Sequence, residues 1–254
     1  MRSSASIGTG RRSAPIKLGF TGRGLDPRAG RALIRPGGKS AKRRVGVHQS
    51  TMSISLHEGD LPAGVELGRV VAVDTETMGL KPARDRLCLV QLSAGDGDCH
   101  LVRFRAGRYD APNLERLLGN PGIEKLFHFA RFDLAVLRRY LGVSAQPVFC
   151  TKIASRLART YTDRHGLKEL CQELLGVDLS KQMQSSDWGA AELSEAQLNY
   201  AANDVLYLHR LRERLSAMLE RDGRSALARA CFDFLPHRVE LDLAGWADDD
   251  IFAY

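Results

Sequence analysis

The stretch "GRVVAVDTETMGL", residues 68–80, restricts the fold more than any other part of the chain. An apolar, β-branched run reads as a buried strand, and two carboxylates, Asp74 and Glu76, stand two positions apart where it ends. Side chains at i and i+2 of a strand share a face, so both acids project side by side. Like charges that close repel and raise a pKa unless a cation lies between them, and a hard divalent ion such as Mg²⁺ or Mn²⁺ suits carboxylate oxygens. A solvated acidic turn is the other reading of an isolated D-x-E, because matches of that length are cheap.

The pattern around this strand alternates. "DRLCLVQLS" and "GDCHLVRF" read as a hairpin across "AGDGD", "NLERLLGN" as a short helix, "EKLFHF" as a strand and "RFDLAVLRRYLG" as a helix closed by Gly142. Helices then dominate: "TKIASRLART", "GLKELCQELLG", and a long one from about Ser194 to Glu220 that opens on a capping box of Ser194 and Gln197. Strands first and helices later, with crossovers between, imply an α/β fold: a mixed β-sheet flanked by helices.

The charge is unevenly placed. Residues 1–51 hold 12 of the 37 Lys/Arg and one of the 30 Asp/Glu, which leaves the remainder with 25 bases against 29 acids, a net of −4. That first stretch is rich in Gly, Ser and Arg, holds one aromatic, Phe20, and has no sustained period, so it is expected to be disordered. A basic nucleic-acid-binding tail, a transit peptide and an upstream stretch added by a wrong start codon all fit it. Met52 opens "MSISLHEGDLP", which leads into the folded region, so the expected domain is 52–254. Five scattered cysteines without C-x-x-C spacing exclude a disulfide framework or zinc knuckle and read as core thiols in a reducing compartment. No apolar run approaches the roughly 18 residues of a membrane span, so a cytoplasmic location is expected.

Further acids lie in apolar surroundings. Asp133 sits between Phe132 and Leu134 at the start of a helix, where burial without a partner would be costly and where it could also simply face the helix dipole. In "LNYAANDVLYLHRL", Tyr200 and Asp204 share a helical face at i and i+4, a spacing that a core-edge tyrosine also shows. Taken together and in this order, "VDTETMGL", "HFARFDLAVL" and "YAANDVLYL" resemble the three motifs of the DEDD 3′-to-5′ exonucleases, in the tyrosine-bearing branch. "RDRLCLVQLS", "FCTKIASRLARTYTDRHGLKEL", "SKQMQSSDW" and "FLPHRVELDLAGWADDDIFA" are similar to the bacterial nano-RNase C group among the ribonuclease D-like enzymes.

The resemblance implies a ribonuclease H-like (DnaQ-like) fold and a two-metal phosphodiesterase with Mg²⁺ or Mn²⁺. Asp74 would bridge both ions, Glu76 and Asp204 would complete one site, Asp133 would support the other, and Tyr200 would orient or deprotonate water. It also implies nucleoside 5′-monophosphate products and a ring-like homo-oligomer, an octamer. Short RNA or DNA oligonucleotides, down to 5′-phosphorylated dinucleotides, fit a body of net −4 better than long chains, whose binding leans on many phosphate contacts. Trimming of longer ends and an inactive nucleic-acid scaffold are the rival readings, and the scaffold is disfavoured because all four acids and Tyr200 are present. Met78 and Leu80, read either as core or as a wedge between two bases, join Thr75, His128, Arg131, Arg164, His165, Lys181, Gln184 and Ser185 as substrate-binding candidates. The last seven could equally be surface or capping residues. Trp246, Phe252 and Tyr254 near the C-terminus are expected to dock on the core or on a neighbouring subunit.

Overall fold

A computed structural model describes residues 53–253 apart from 181 and 184. The expectation of disorder over 1–51 lies outside the described residues. The strands are β1 (Ser53–Glu58), β2 (Val70–Thr77), β3 (Leu87–Ser93), β4 (Asp98–Arg103), β5 (Glu124–Phe127) and β6 (Val148–Cys150). The helices are α1 (Pro112–Gly119), α2 (Ala130–Leu141), α3 (Thr151–Ala158), α4 (Leu167–Leu170, widening into a π turn over Cys171–Leu175), α5 (Glu195–Leu206), α6 (Leu208–Arg221) and α7 (Ser225–Leu241).

The six strands form one mixed sheet in the order β1-β4-β3-β2-β5-β6. β2, β3 and β4 run antiparallel as the hairpin pattern requires, while β5 and β6 continue parallel to β2, and β1 lies parallel to β4. Every residue of β3 is buried, as expected of a strand covered on both faces. α5 packs on β2, β3 and β4, whereas α2 meets β2, β3, β5 and β6 and is backed by α7. Gly142, at φ 67°, ends α2 in the left-handed conformation that favours glycine. The Ser194–Gln197 capping box opens α5 as expected. Cys88, Cys99, Cys150 and Cys171 are buried free thiols. Among the described residues no helix is long and apolar enough to cross a membrane.

Two differences from the sequence reading stand out. The long helix from Ser194 is two helices, broken at Tyr207 (φ −101°, ψ −6°). α5 buries Ala201, Ala202 and Val205 toward the sheet, while α6 buries Leu208, Leu211, Leu215 and Leu219, chiefly against α3, and one straight axis cannot serve both partners. The lead-in "SISLHE" is itself an edge strand, held by pairing with β4. The segment ending in "FLPHRVEL" is the continuous helix α7, with Pro236 inside it. In the C-terminal segment Trp246 and Phe252 are half or more exposed, although the Phe252 ring stands 6.0 Å from that of Phe234. Tyr254 lies outside the described residues.

Candidate active site

β5 accompanies β2 only through Ala72, while β3 stays alongside as far as Thr77. Asp74 and Glu76 thus sit on an overhang, at the carboxyl end of the parallel part of the sheet, the place where open α/β sheets bind ligands. α2 and α5 close on this overhang. Asp74, Glu76 and Asp204 each present a carboxylate oxygen, and the three oxygens lie within 4.8 Å of one another. Asp133, buried in the first turn of α2, accepts a hydrogen bond from Thr75 Oγ1 at 2.7 Å. Strand alternation turns Thr75 away from its two acidic neighbours, and this turned side chain meets α2.

Tyr200 donates its hydroxyl proton to Asp204 one helical turn on, and its ring centroid stands 6.1 Å from that of Trp188. Gln91, directly across from Asp74 in the β2/β3 register, donates from Nε2 to Asp74 Oδ2 at 3.3 Å.

Burial and mutual repulsion shift every acid the same way. Burial, then Asp133, Asp204 and Glu76, hold Asp74 well above the usual carboxylate range. Burial, with Asp204 and Asp133 behind it, pushes Glu76 up to about 9. Burial raises Asp133 to about 7 against the pull of the Thr75 hydrogen bond, and raises Asp204 to about 7 against that of Tyr200. Burial and the neighbouring acids also push the Tyr200 phenol upward. A cluster of buried carboxylates that resists ionisation on its own is chemically matched to a hard divalent cation, whose charge removes the conflict.

The other sequence candidates separate. Met78 and Leu80 are 50% and 86% exposed, which rules out the core reading for both. A β-bulge between Glu76 and Thr77 shifts the β2/β3 register just before them. His128 is bonded to Thr151 Oγ1 at 2.9 Å, and burial lowers its pKa to about 3. Arg131 is committed to Asp242 through two bonds, at 2.6 and 2.8 Å, and to the Ala247 carbonyl. His165 bonds Ser155, while Arg164 and Ser185 are exposed. Lys181 and Gln184 lie outside the described residues.

Two residues near the site escaped the sequence reading. Gln91 becomes visible only through strand register. Phe129 caps α2 at φ 72°, a left-handed conformation rare for a bulky residue, and its ring lies 4.2 Å from Lys152 Nζ. It turns the chain sharply from β5 into the helix that carries Asp133.

A mixed sheet bearing this cluster defines a class. A family profile described as 3′-5′ exonuclease matches residues 59–220, and the chain belongs to that family, the ribonuclease H-like (DnaQ-like) nucleases. Within it, the chain is similar to NrnC. The structure "Brucella melitensis NrnC bound to pGG" is 60% identical, with a TM-score of 0.76, over 80% of this chain and 100% of that one. "Brucella melitensis NrnC with bound Mg2+" is 59% identical, with a TM-score of 0.75, over 80% and 100%. Ribonuclease D of Acidiphilium cryptum (strain JF-5) is 38% identical over 154 residues, which are 61% of this chain and 39% of that protein. The chain thus spans about two fifths of the length of the curated ribonuclease D relatives it matches.

Proposed function

We propose that this chain is a divalent-metal-dependent 3′-to-5′ exonuclease of short oligonucleotides, acting down to 5′-phosphorylated dinucleotides and releasing nucleoside 5′-monophosphates. The observation that carries the reading is the convergence of Asp74, Glu76 and Asp204 within 4.8 Å, with Tyr200 bonded to Asp204. The 60% identity to a nuclease solved with pGG supports the substrate class, and the Mg²⁺ complex of the same relative supports the cofactor.

Asp74, Glu76, Asp133 and Asp204 would hold two ions, Mg²⁺ or Mn²⁺. Bound there, the ions supply positive charge that stabilises the developing charge on the scissile phosphate and favours loss of a proton from water. Gln91 fixes the rotamer of Asp74 and Thr75 that of Asp133. Tyr200, bonded to Asp204, would orient the attacking water from the Asp204 side. The exposed Met78 and Leu80 face the terminal bases as the strand leaves the sheet. The folded domain runs over 52–254, and the enzyme acts as a homo-oligomer in the cytoplasm.

The test is a length series of 5′-phosphorylated RNA and DNA, from two to about twenty nucleotides, with Mg²⁺ or Mn²⁺ against an EDTA control and Asp204→Asn as the inactive reference. Hydrolysis fastest at the shortest lengths and absent with EDTA is expected. Equal rates at all lengths would replace the short-substrate reading with trimming of longer ends.

A further inference from the structure

A cavity of about 390 Å³ opens beside the carboxylate cluster, within the range of roughly 300–1,000 Å³ that small-ligand sites occupy. Arg86, Arg103, Arg105, Phe104, Trp188 and Gly189 line it. Its polar side chains are donors. The Trp188 indole N–H is buried and finds no hydrogen-bond partner among the described residues, an arrangement that leaves a donor unmatched. Arg86 makes long contacts with the Leu87 and Phe104 carbonyls, at 3.5 and 3.4 Å, and also bonds Tyr109. Arg103 bonds the carbonyls of Ala190 and Ala191.

One carboxylate, Glu58, answers these guanidinium groups, at 3.5 Å from Arg103 and 3.6 Å from Arg105, both beyond good hydrogen-bond length. Asp187, close by, accepts from the Gly189 N–H at 2.9 Å. In a body whose net charge is −4, a concentration of three arginines around one concave space is a local field that selects an anion.

Residues that line the cavity also touch residues of the site already described. Trp188 stands beside Tyr200, and Met78 N donates to the Arg86 carbonyl at 3.0 Å. A Cβ added to Gly189 would lie 2.6 Å from Met78 Sδ and 2.7 Å from an Arg86 guanidinium nitrogen, so the absence of a side chain there lets both approach.

We infer that this cavity is a second anion site that binds a phosphate monoester of nucleotide size, with Arg86, Arg103 and Arg105 on the phosphate. It is separate from the carboxylate cluster and does not depend on metal.

The experiment is calorimetric titration of the full chain in EDTA with adenosine 5′-monophosphate, inorganic phosphate and, as the uncharged control, adenosine. The nucleotide and phosphate are expected to bind and compete while adenosine does not. Arg103→Gln and Arg105→Glu should each weaken binding about tenfold or more, the loss of a charge-assisted contact, and Asp204→Asn should leave it unchanged. Arg105 is 72% exposed at its side chain, so its substitution leaves the fold intact if Arg103→Gln does not. No phosphate-dependent binding at millimolar ligand, or binding insensitive to both arginines, overturns the inference. So does a result in which Arg105→Glu changes the sedimentation of the protein and leaves nucleotide binding untouched, which would make the cavity a contact between copies. Because metal is excluded and Asp204→Asn is the control, failure here is distinct from failure of the exonuclease reading.

Discussion

Thr75 and Asp133 are 58 positions apart in sequence and joined by a 2.7 Å hydrogen bond in the buried floor of the acidic cluster. The residue between the two acids of β2 therefore anchors the acid of α2, and one strand governs three of the four carboxylates.

Thr75→Val keeps the shape and removes the donor. Leaving a buried acceptor unsatisfied should destabilise the protein by about 1–2 kcal/mol, while Thr75→Ser restores most of it. The hydrogen bond also favours the charged form of Asp133, so the valine variant should require a higher pH for half-maximal activity. Thermal melts and pH profiles of the two variants read both effects.

The metal-free protein should lose stability as pH rises. The acids have folded pKa values of about 7 (Asp133 and Asp204) and about 9 (Glu76), against unfolded values of 3.8 and 4.5. Between those limits these acids bind more protons in the folded state than in the unfolded one, so their contribution to stability declines from about pH 4 to pH 9. Melting in EDTA at pH 5 and pH 8 checks the sign, and Mg²⁺ should raise the midpoint far more at pH 8 than at pH 5. Equal midpoints in EDTA at the two pH values would remove the charge conflict from the account.

Tyr200→Phe preserves the ring beside Trp188 and removes the hydroxyl. A fall in kcat of about a hundredfold or more is expected, the scale of a positioned proton-handling group, with KM little changed. Steady-state rates on a dinucleotide decide it, and a loss under tenfold would reduce the tyrosine to a packing role.

Leu80→Ala should leave the melting temperature unchanged, because the side chain is 86% exposed. If Leu80 contacts a base, KM for a 5′-phosphorylated dinucleotide rises about fivefold or more, as loss of about 1 kcal/mol of base contact requires. An unchanged KM would dismiss it as a wedge.

Arg131→Met tests a residue first read as a phosphate contact. Its guanidinium is held by Asp242, which Arg238 also reaches at 3.0 Å, so the variant should lose about 1 kcal/mol, or roughly 2–4 °C of melting temperature, at constant KM. A raised KM at constant melting temperature would return Arg131 to the substrate.

What the sequence made legible follows from which forces act locally. Asp74 with Glu76, and Tyr200 with Asp204, were readable because strand and helix periods alone bring each pair to one face. Gln91 was not, since its partnership with Asp74 exists only in cross-strand register. β1 and the three-residue β6 carry too little pattern and are fixed by their neighbours. The break at Tyr207 has no glycine or proline to announce it. Met78 and Leu80 looked like resumed core because periodicity cannot see the bulge that turns the chain outward.

That bulge also divides the chain by its tolerance of length. Ahead of it, Ala72 to Glu76 are each counted against β3, so one residue inserted beside Val73 would turn Asp74 and Glu76 to the opposite face. Beyond it, the ladder keeps the Thr77/Leu87 pair and the bond from Met78 N to the Arg86 carbonyl. A residue added after Leu80 would lengthen the loop and leave both acids in place. Variation in loop size can therefore retune what the site grips without disturbing the acids.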